Sequence, residues 1–328
     1  MINWTDHHGR FFAGRRVLVT GGAGFIGSHL VTALVELGAH VVVLDDLSGG
    51  TRDNLAHVPA VELVEGSILD TAALARCSAG CEFVFHHAAL GSVPDSIERP
   101  RAFAEVNITG TLNVLEAARA AKVKRLMFAA SSSAYGDSEA LPKVETMPPL
   151  PRSPYAASKV AAEALVAAYA AAYGLDAVSL RYFNIFGPRQ NANSAYAAVI
   201  AAFARALLAG ERPVIYGDGE QSRDFTFVAN VVHANLLAAR SSAPLGGAVI
   251  NVACAQRITV NELARQMAAR FGRADLAPVH KPPRIGDVKH SLADLSRAGS
   301  MLGYAPLVPF DAGLAVTCDW YRQSMPKR

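Results

Sequence analysis

Four cysteines in 328 residues are too few and too poorly spaced for a disulfide framework. Cys77 and Cys81 lie closest together, but they lack both the CxxC spacing and a second ligand pair that a zinc site needs. Four reduced thiols are expected. No run of about five or six like charges occurs, and 31 Lys+Arg against 28 Asp+Glu leave a formal charge of only +3. A nucleic-acid partner is therefore not implied. No apolar run reaches the ~18 residues of a membrane span. The opening MINWTDHHGRFF lacks the basic segment, apolar stretch and small-residue cleavage site of a signal peptide. Together these absences imply a cytoplasmic protein with no membrane partner. What is present is apolar: 51% hydrophobic against 18% charged residues describes a globular chain with ample core for one large domain or two lobes.

From Arg15 onward, short β-branched runs alternate with longer alanine- and leucine-rich stretches, the pattern of a parallel sheet covered by helices on both faces. Strands are expected at 16–20, 41–45, 61–64, 83–86, 125–129 and 176–181, with helical stretches between them, among them 25–37 and 156–172. Beyond Asn184, proline and glycine punctuate shorter elements, which reads as a second, smaller lobe. A helix at 228–239 and a strand at 248–252 have the pattern to return to the first sheet, so the two lobes interleave.

TGGAGFIG joins the first strand to the first helix, where glycines let backbone N–H groups approach a diphosphate. Gly22, Gly24 and Gly27 fit GxGxxG, while Gly21, Gly24 and Gly27 fit the related GxxGxxG. Asp45 ends the second strand 18 residues after Gly27, where a dinucleotide fold needs an acceptor for the adenosine-ribose hydroxyls; an acid there repels a 2′-phosphate and favours NAD over NADP. Strand, loop, helix and acid together specify a Rossmann-type, doubly wound α/β fold.

In SPYAASK, Tyr155 and Lys159 are four residues apart, so on a helix they share a face one turn apart. A nearby ammonium is expected to lower the Tyr155 pKa from about 10 toward working pH, so that the phenol can exchange a proton with an alcohol. Alone, this spacing also describes a solvated helix face. Ser131, Ser132 and Ser133 follow the apolar RLMFAA, placing hydroxyls at a strand's C-terminal end, where open α/β sheets bind ligands. His86, His87, His233 and His290 have no metal-ligand spacing, and no metal is expected.

TGGAGFIG, Asp45, the serines before AYGD, and YAASK together resemble an extended short-chain dehydrogenase/reductase, specifically a nucleotide-sugar 4-epimerase, from about Arg15 to Tyr321. The resemblance implies an NAD-binding domain over 1–183, with 228–252 returning to it, and a nucleotide-sugar lobe over 184–328. It implies Ser131, Tyr155 and Lys159 as the catalytic set. NAD contacts would come from Gly21, Gly24, Phe25, Ile26, Gly27 and Asp45, then Ala88, Ala89, Asn107, Tyr155, Lys159 and Tyr182. The family often has Asp-Ile after a glycine at the adenine; here Ser67 precedes Ile68, keeping a hydrogen bond and giving up a charge. A homodimer through the helices around 107–121 and after Tyr155 is also implied.

Within this family, dehydratases carry an Asp-Glu pair after the catalytic Thr and decarboxylases a Glu before the YG turn. The matching stretch here, Ser132, Ser133 and Ala134, has no acid, which leaves return of hydride to the other face as the fate of a 4-keto sugar. By resemblance, Asn184, Arg223 and Arg284 hold the diphosphate, Tyr216 covers the base and Asp287 accepts from the uridine ribose. Gly91, Ser92, Ser132, Ser133, Ala198 and Val199 would line the sugar site. At Ser291, galactose-restricted relatives have a bulky Tyr; a small residue leaves room for a 2-acetamido group. LGSVPDS, SSSAYG and AYAAVI resemble bacterial UDP-N-acetylglucosamine 4-epimerases of surface-polysaccharide pathways. The resemblance thus implies a UDP-GlcNAc/UDP-GalNAc epimerase, with a UDP-glucuronate or UDP-glucose epimerase, or a non-catalytic NAD-binding regulator, as alternatives.

Overall fold

The computed structural model describes residues 2–192, 198–283 and 289–324. Its first half alternates strand and helix: α1 (Trp4–His8), β1 (Arg16–Thr20), α2 (Phe25–Glu36), β2 (His40–Asp45), β3 (Glu62–Glu65), α3 (Thr71–Ser78), β4 (Phe83–His86), α4 (Val93–Glu98), α5 (Pro100–Ala104), α6 (Gly110–Ala120), β5 (Arg125–Ser131), α7 (Pro154–Tyr173) and β6 (Ala177–Tyr182). The second half contains short strands β7 (Ile185–Phe186), β8 (Val214–Tyr216), β9 (Ser222–Asp224) and β10 (Thr226–Phe227), with helices α8 (Val199–Leu208) and α9 (Val228–Arg240). It continues through β11 (Ala248–Val252), β12 (Arg257–Thr259), α10 (Val260–Arg270), β13 (Val279–Lys281), α11 (Ser296–Leu302) and α12 (Phe310–Ser324).

Seven parallel strands form the central sheet in the order β11-β6-β5-β4-β1-β2-β3. The direction of winding reverses between β1 and β4, which pair with Thr20 opposite His86, and ligands of such sheets bind at this switch point beyond the strands' carboxyl ends. The valine runs explain the two-sided burial. Val17, Val19, Val41 and Val43 face the layer containing α2 and α9, whereas Leu18, Val42 and Leu44 face α3, α6 and α7, as the period of two requires.

The return of 248–252 to the sheet is realised: β11 pairs with β6, Ala248 opposite Val178. Arg125 fastens this return. Its Nε donates to Asp176 at 2.7 Å, and its Nη atoms donate to the carbonyls of Ala238, Ser241 and Ala243 at 2.6–2.9 Å. A buried cation thus meets the Ala238 carbonyl in the last turn of α9 and two carbonyls just beyond it, at the helix end where a positive charge is favoured.

Two local departures from the sequence reading move functional residues. β5 runs to Ser131, two residues past the expected end, because a buried parallel strand continues until its neighbour β6 ends. The helix that the resemblance implies around 107–121 begins with a π-helical turn, Glu105–Thr109, between α5 and α6. That wider turn carries Asn107 into the interior, where it is 1% exposed.

Candidate active site

Two adjoining cavities open along the carboxyl ends of the sheet. The first, about 420 Å³, is lined by Gly21, Gly24, Phe25, Ile26 and Gly27 from the first turn, and by Asp45, Gly66 and Ile68 from the next two strands. His87, Ala88, Ala89, Ala129, Tyr155, Lys159 and Tyr182 complete its other end. The second, about 470 Å³, is lined by Gly91, Ser92, Asn184, Gln190, Ala198, Val199, Tyr216, Gln221 and Arg223. Gly91 belongs to both walls.

The first cavity suits a dinucleotide by the shape of its backbone. Gly21 has φ +70°, and a Cβ on it would stand 2.5 Å from the Ala88 nitrogen; the turn after β1 therefore lies directly against the turn after β4. Gly24 caps α2 with extended backbone and no side-chain bond, leaving the helix's first N–H groups facing the cavity, where they favour an anion. Asp45 is nearly buried; Oδ2 accepts from the Ala23 N–H and Oδ1 from the Leu47 N–H, each at 2.8 Å. Burial raises its carboxyl pKa, and those two N–H groups oppose the rise. Each oxygen retains a second acceptor position, which is what two ribose hydroxyls require.

Two residues assigned to the cofactor by resemblance are placed behind this wall. Asn107 uses its amide internally: Oδ1 accepts from the Leu90 N–H at 2.9 Å, and Nδ2 donates to the Leu90 carbonyl and to Ser158 Oγ. It ties the loop after β4 to α7, so it shapes the cavity. Ser67 does not line the cavity; its Oγ accepts the Leu69 N–H at 3.2 Å, and its neighbours Gly66 and Ile68 form the surface.

α7 carries the reactive pair. Ser153 caps it by accepting the Ala156 N–H at 3.1 Å, Pro154 supplies the first helical position, and Gly174 ends it at φ +68°. Lys159, 4% exposed, donates to the Ala129 carbonyl at 2.9 Å and lies 5.0 Å above the Phe128 ring. Burial pulls its ammonium down to about 8, while Glu163 pushes it upward. The expectation that Lys159 lowers the Tyr155 pKa is not met in this arrangement. Burial raises the phenol, Ser131 is the group that opposes this, and the Lys159 ammonium is turned to the Ala129 carbonyl.

Ser131 Oγ accepts from the Ser133 N–H at 3.2 Å and the Ser133 hydroxyl at 2.9 Å. Its own hydrogen is then available toward Tyr155, and Ser133 acts through Ser131. Ser132 begins the 3₁₀ turn Ser132–Tyr135, partly exposed. Two histidines unassigned from sequence pack beside this set. His86 sits between Thr20 (2.8 Å) and Thr111 (3.0 Å). His87 stacks on Tyr182 with ring centroids 6.0 Å apart. Burial and the Lys159 charge keep both neutral, His87 at about 3.

In the second cavity Asn184 has a left-handed backbone, φ +40°. Its Nδ2 donates to the Asp224 carbonyl at 3.0 Å and to Ser291 Oγ at 3.1 Å. Both side-chain amide hydrogens are occupied by protein acceptors, which leaves Oδ1 as the acceptor Asn184 offers on the cavity wall. Ser291 also accepts the Asp224 N–H at 3.2 Å and stands behind Asn184, off the described wall. Ser92 lines the cavity while capping α4. Arg223 lines it with Nη1 held by the Ser222 and Lys289 carbonyls. Arg284 and Asp287 lie outside the described residues. Among the described residues no Asp or Glu lines the second cavity, and those lining the first are Asp45 and Asp46 at the end of β2. Among the described residues no cluster of three or more His, Cys, Asp or Glu forms a metal site, and no helix is long and apolar enough to cross a membrane.

Comparison with known proteins agrees with this geometry. A Mycolicibacterium smegmatis protein named UDP-glucose 4-epimerase is 41% identical over 315 residues, covering 94% of this chain and 98% of its own length. The structure of a Methanobrevibacter ruminantium UDP-N-acetylglucosamine 4-epimerase in complex with UDP-N-acetylmuramic acid superposes with a TM-score of 0.91 at 40% identity, over 95% of this chain and 100% of that one. A Thermus thermophilus UDP-glucose 4-epimerase solved with NAD gives 0.85 at 37% identity, over 94% and 100%. The NAD dependent epimerase/dehydratase family model matches residues 17–253. Given that match, the glycine turn and the Tyr155–Lys159 helix, the chain belongs to the NAD dependent epimerase/dehydratase family and takes NAD as its cofactor.

Proposed function

We propose that this enzyme interconverts UDP-N-acetylglucosamine and UDP-N-acetylgalactosamine by inverting sugar C4 through a transient 4-keto sugar. The observation that carries the reaction type is the absence of any carboxylate at the reacting end of either described cavity wall, which leaves no group to expel water or assist loss of CO2. Bound NAD supplies the acceptor for the C4 hydride, its donor on return, and in oxidised form a positive charge that favours the Tyr155 phenolate. Tyr155 takes the C4 hydroxyl proton, with Ser131 relaying it and Ser133 orienting Ser131. Lys159 keeps positive charge beneath this exchange. The 4-keto sugar then turns its other face while the second lobe holds the UDP, and Tyr155 returns the proton.

The N-acetylated pair is favoured by Ser291. A hydroxymethyl group there fixes Asn184 from behind the cavity wall and takes little space, whereas a phenol at this 9% exposed position needs more room than the serine leaves and displaces Asn184 on the wall. The Methanobrevibacter neighbour carries the N-acetylglucosamine name, while other relatives are named for UDP-glucose. Ser291→Tyr is expected to lower kcat/KM for the acetylated pair by at least about tenfold relative to UDP-glucose, the scale on which a pocket discriminates small groups. An unchanged ratio of specificity constants contradicts the gatekeeper role.

We further read α6 and α7 as the contact of a homodimer. They pack together, and α7 leaves Ala164, Ala167, Ala168, Ala171 and Ala172 exposed, small side chains that allow close helix approach. A dimeric mass by sedimentation equilibrium is the expected result; a monomer contradicts it.

A further inference from the structure

One turn beyond Lys159 on α7, Glu163 is also buried, at 5% exposure. It faces Arg181 of β6, itself 2% exposed, in a bidentate pair with Nε–Oε1 at 2.9 Å and Nη2–Oε2 at 2.7 Å. The guanidinium lies 4.6 Å above the Tyr135 ring, and the Tyr135 hydroxyl donates to Asn251 at 2.7 Å. A carboxylate this deeply buried, with both oxygens engaged, has one fixed orientation. Residues four apart on a helix lie on one face, so that orientation sets the carboxylate on the same helix face as the catalytic ammonium.

The surroundings of Lys159 make this charge matter. Tyr155 and Glu163 come from its own helix, neutral His86 and His87 from the end of β4, and Arg181 and Tyr182 from β6. Its direct partners, the Ala129 carbonyl and the Phe128 ring, are uncharged. We propose that Glu163, oriented by Arg181, is a positioning residue that keeps Lys159 in its ammonium form during turnover. This rests on the epimerase reading only for the role given to Lys159. The carboxylate lies four residues along the same helix face; burial lowers the Lys159 ammonium and Glu163 opposes the fall, leaving it at about 8. A lysine near 8 is mostly charged at neutral pH; without the carboxylate that margin disappears.

The sign follows directly. Lys159 works protonated, so activity falls as pH rises through its pKa, and removal of Glu163 moves this alkaline limb to lower pH. The test uses the NAD-bound enzyme carrying Glu163→Gln and, because that change strands a buried guanidinium, the double variant Glu163→Gln/Arg181→Met. Two readouts apply: the pH profile of kcat, and titration of the Lys159 side chain by NMR of 15N-lysine-labelled protein, assigned by the resonance lost in Lys159→Met. Both variants are expected to titrate about one pH unit or more below wild type, the scale of one nearby opposite charge, with KM little changed. If Glu163→Gln does not fold, the double variant is read alone with the same expectation. Wild-type titration of Lys159 in a folded variant overturns the proposal and leaves the pair a packing feature. Absence of epimerase turnover in the wild type would instead overturn the functional reading, and the NMR titration would still decide the charge assignment.

Discussion

Tyr155→Phe is expected to lower kcat by about three orders of magnitude, within the range by which a positioned acid–base group accelerates proton transfer, while leaving KM for the UDP-sugar and the amount of bound NAD near wild type. The separation of effects follows from placement. Tyr155 stands on the cofactor cavity wall with its ring edge-on to Phe103, centroids 6.4 Å apart, and removal of one oxygen leaves that packing intact. Burial raises the phenol in this arrangement, with Ser131 opposing, so the proton exchange depends on charges that only the assembled site provides. Steady-state kinetics with both C4 epimers, together with NAD content of the denatured protein, check the expectation. Near-normal turnover in the variant would remove Tyr155 from the proton path, and loss of NAD would recast it as a cofactor-binding residue.

Gly27→Ala is expected to raise the apparent Kd for NAD by more than about tenfold and to destabilise the fold by about 1–3 kcal/mol, the usual cost of forcing a methyl into filled space. A Cβ at Gly27 would stand 2.1 Å from the Gly21 carbonyl oxygen and 2.8 Å from the Gly22 Cα. Both obstacles are backbone, so no side chain can turn aside; α2 must move away from the glycine turn, and its N–H groups retreat from the diphosphate position. Calorimetric NAD binding and thermal unfolding without added cofactor measure the two effects separately. Wild-type affinity with a lowered melting temperature would show that the helix N-terminus does not hold the cofactor.

Much of this was legible in the chain because the determinants are local or periodic. The HVVVLD run, the glycines at 21, 24 and 27, and Asp45 at the end of β2 each read correctly, since a buried parallel strand and a tight strand-to-helix turn leave few residue choices. The return of 248–252 was equally readable from its β-branched run. What escaped depends on partners far apart in sequence. Asn107 reads as a cofactor contact, but a π-helical turn and the carbonyl of Leu90 claim its amide. Asn184 reads as a diphosphate donor, but Asp224 and Ser291 take both hydrogens. The Tyr155–Lys159 spacing was visible, yet the direction of the phenol's shift was not, because it is set by burial, with Ser131 on another element opposing it. Glu163 and Arg181, 18 residues apart, carry no motif that marks them as a pair.

The central claim is tested most directly by incubating the purified protein, with no cofactor added, with UDP-N-acetylglucosamine and separately with UDP-glucose and UDP-glucuronate, and resolving the C4 epimers by proton NMR. The account predicts that UDP-N-acetylgalactosamine forms at a rate equal to or above that of the other epimers, with no dehydrated or decarboxylated product. Turnover confined to UDP-glucose or UDP-glucuronate, or no turnover of any of the three even with NAD supplied, would contradict it.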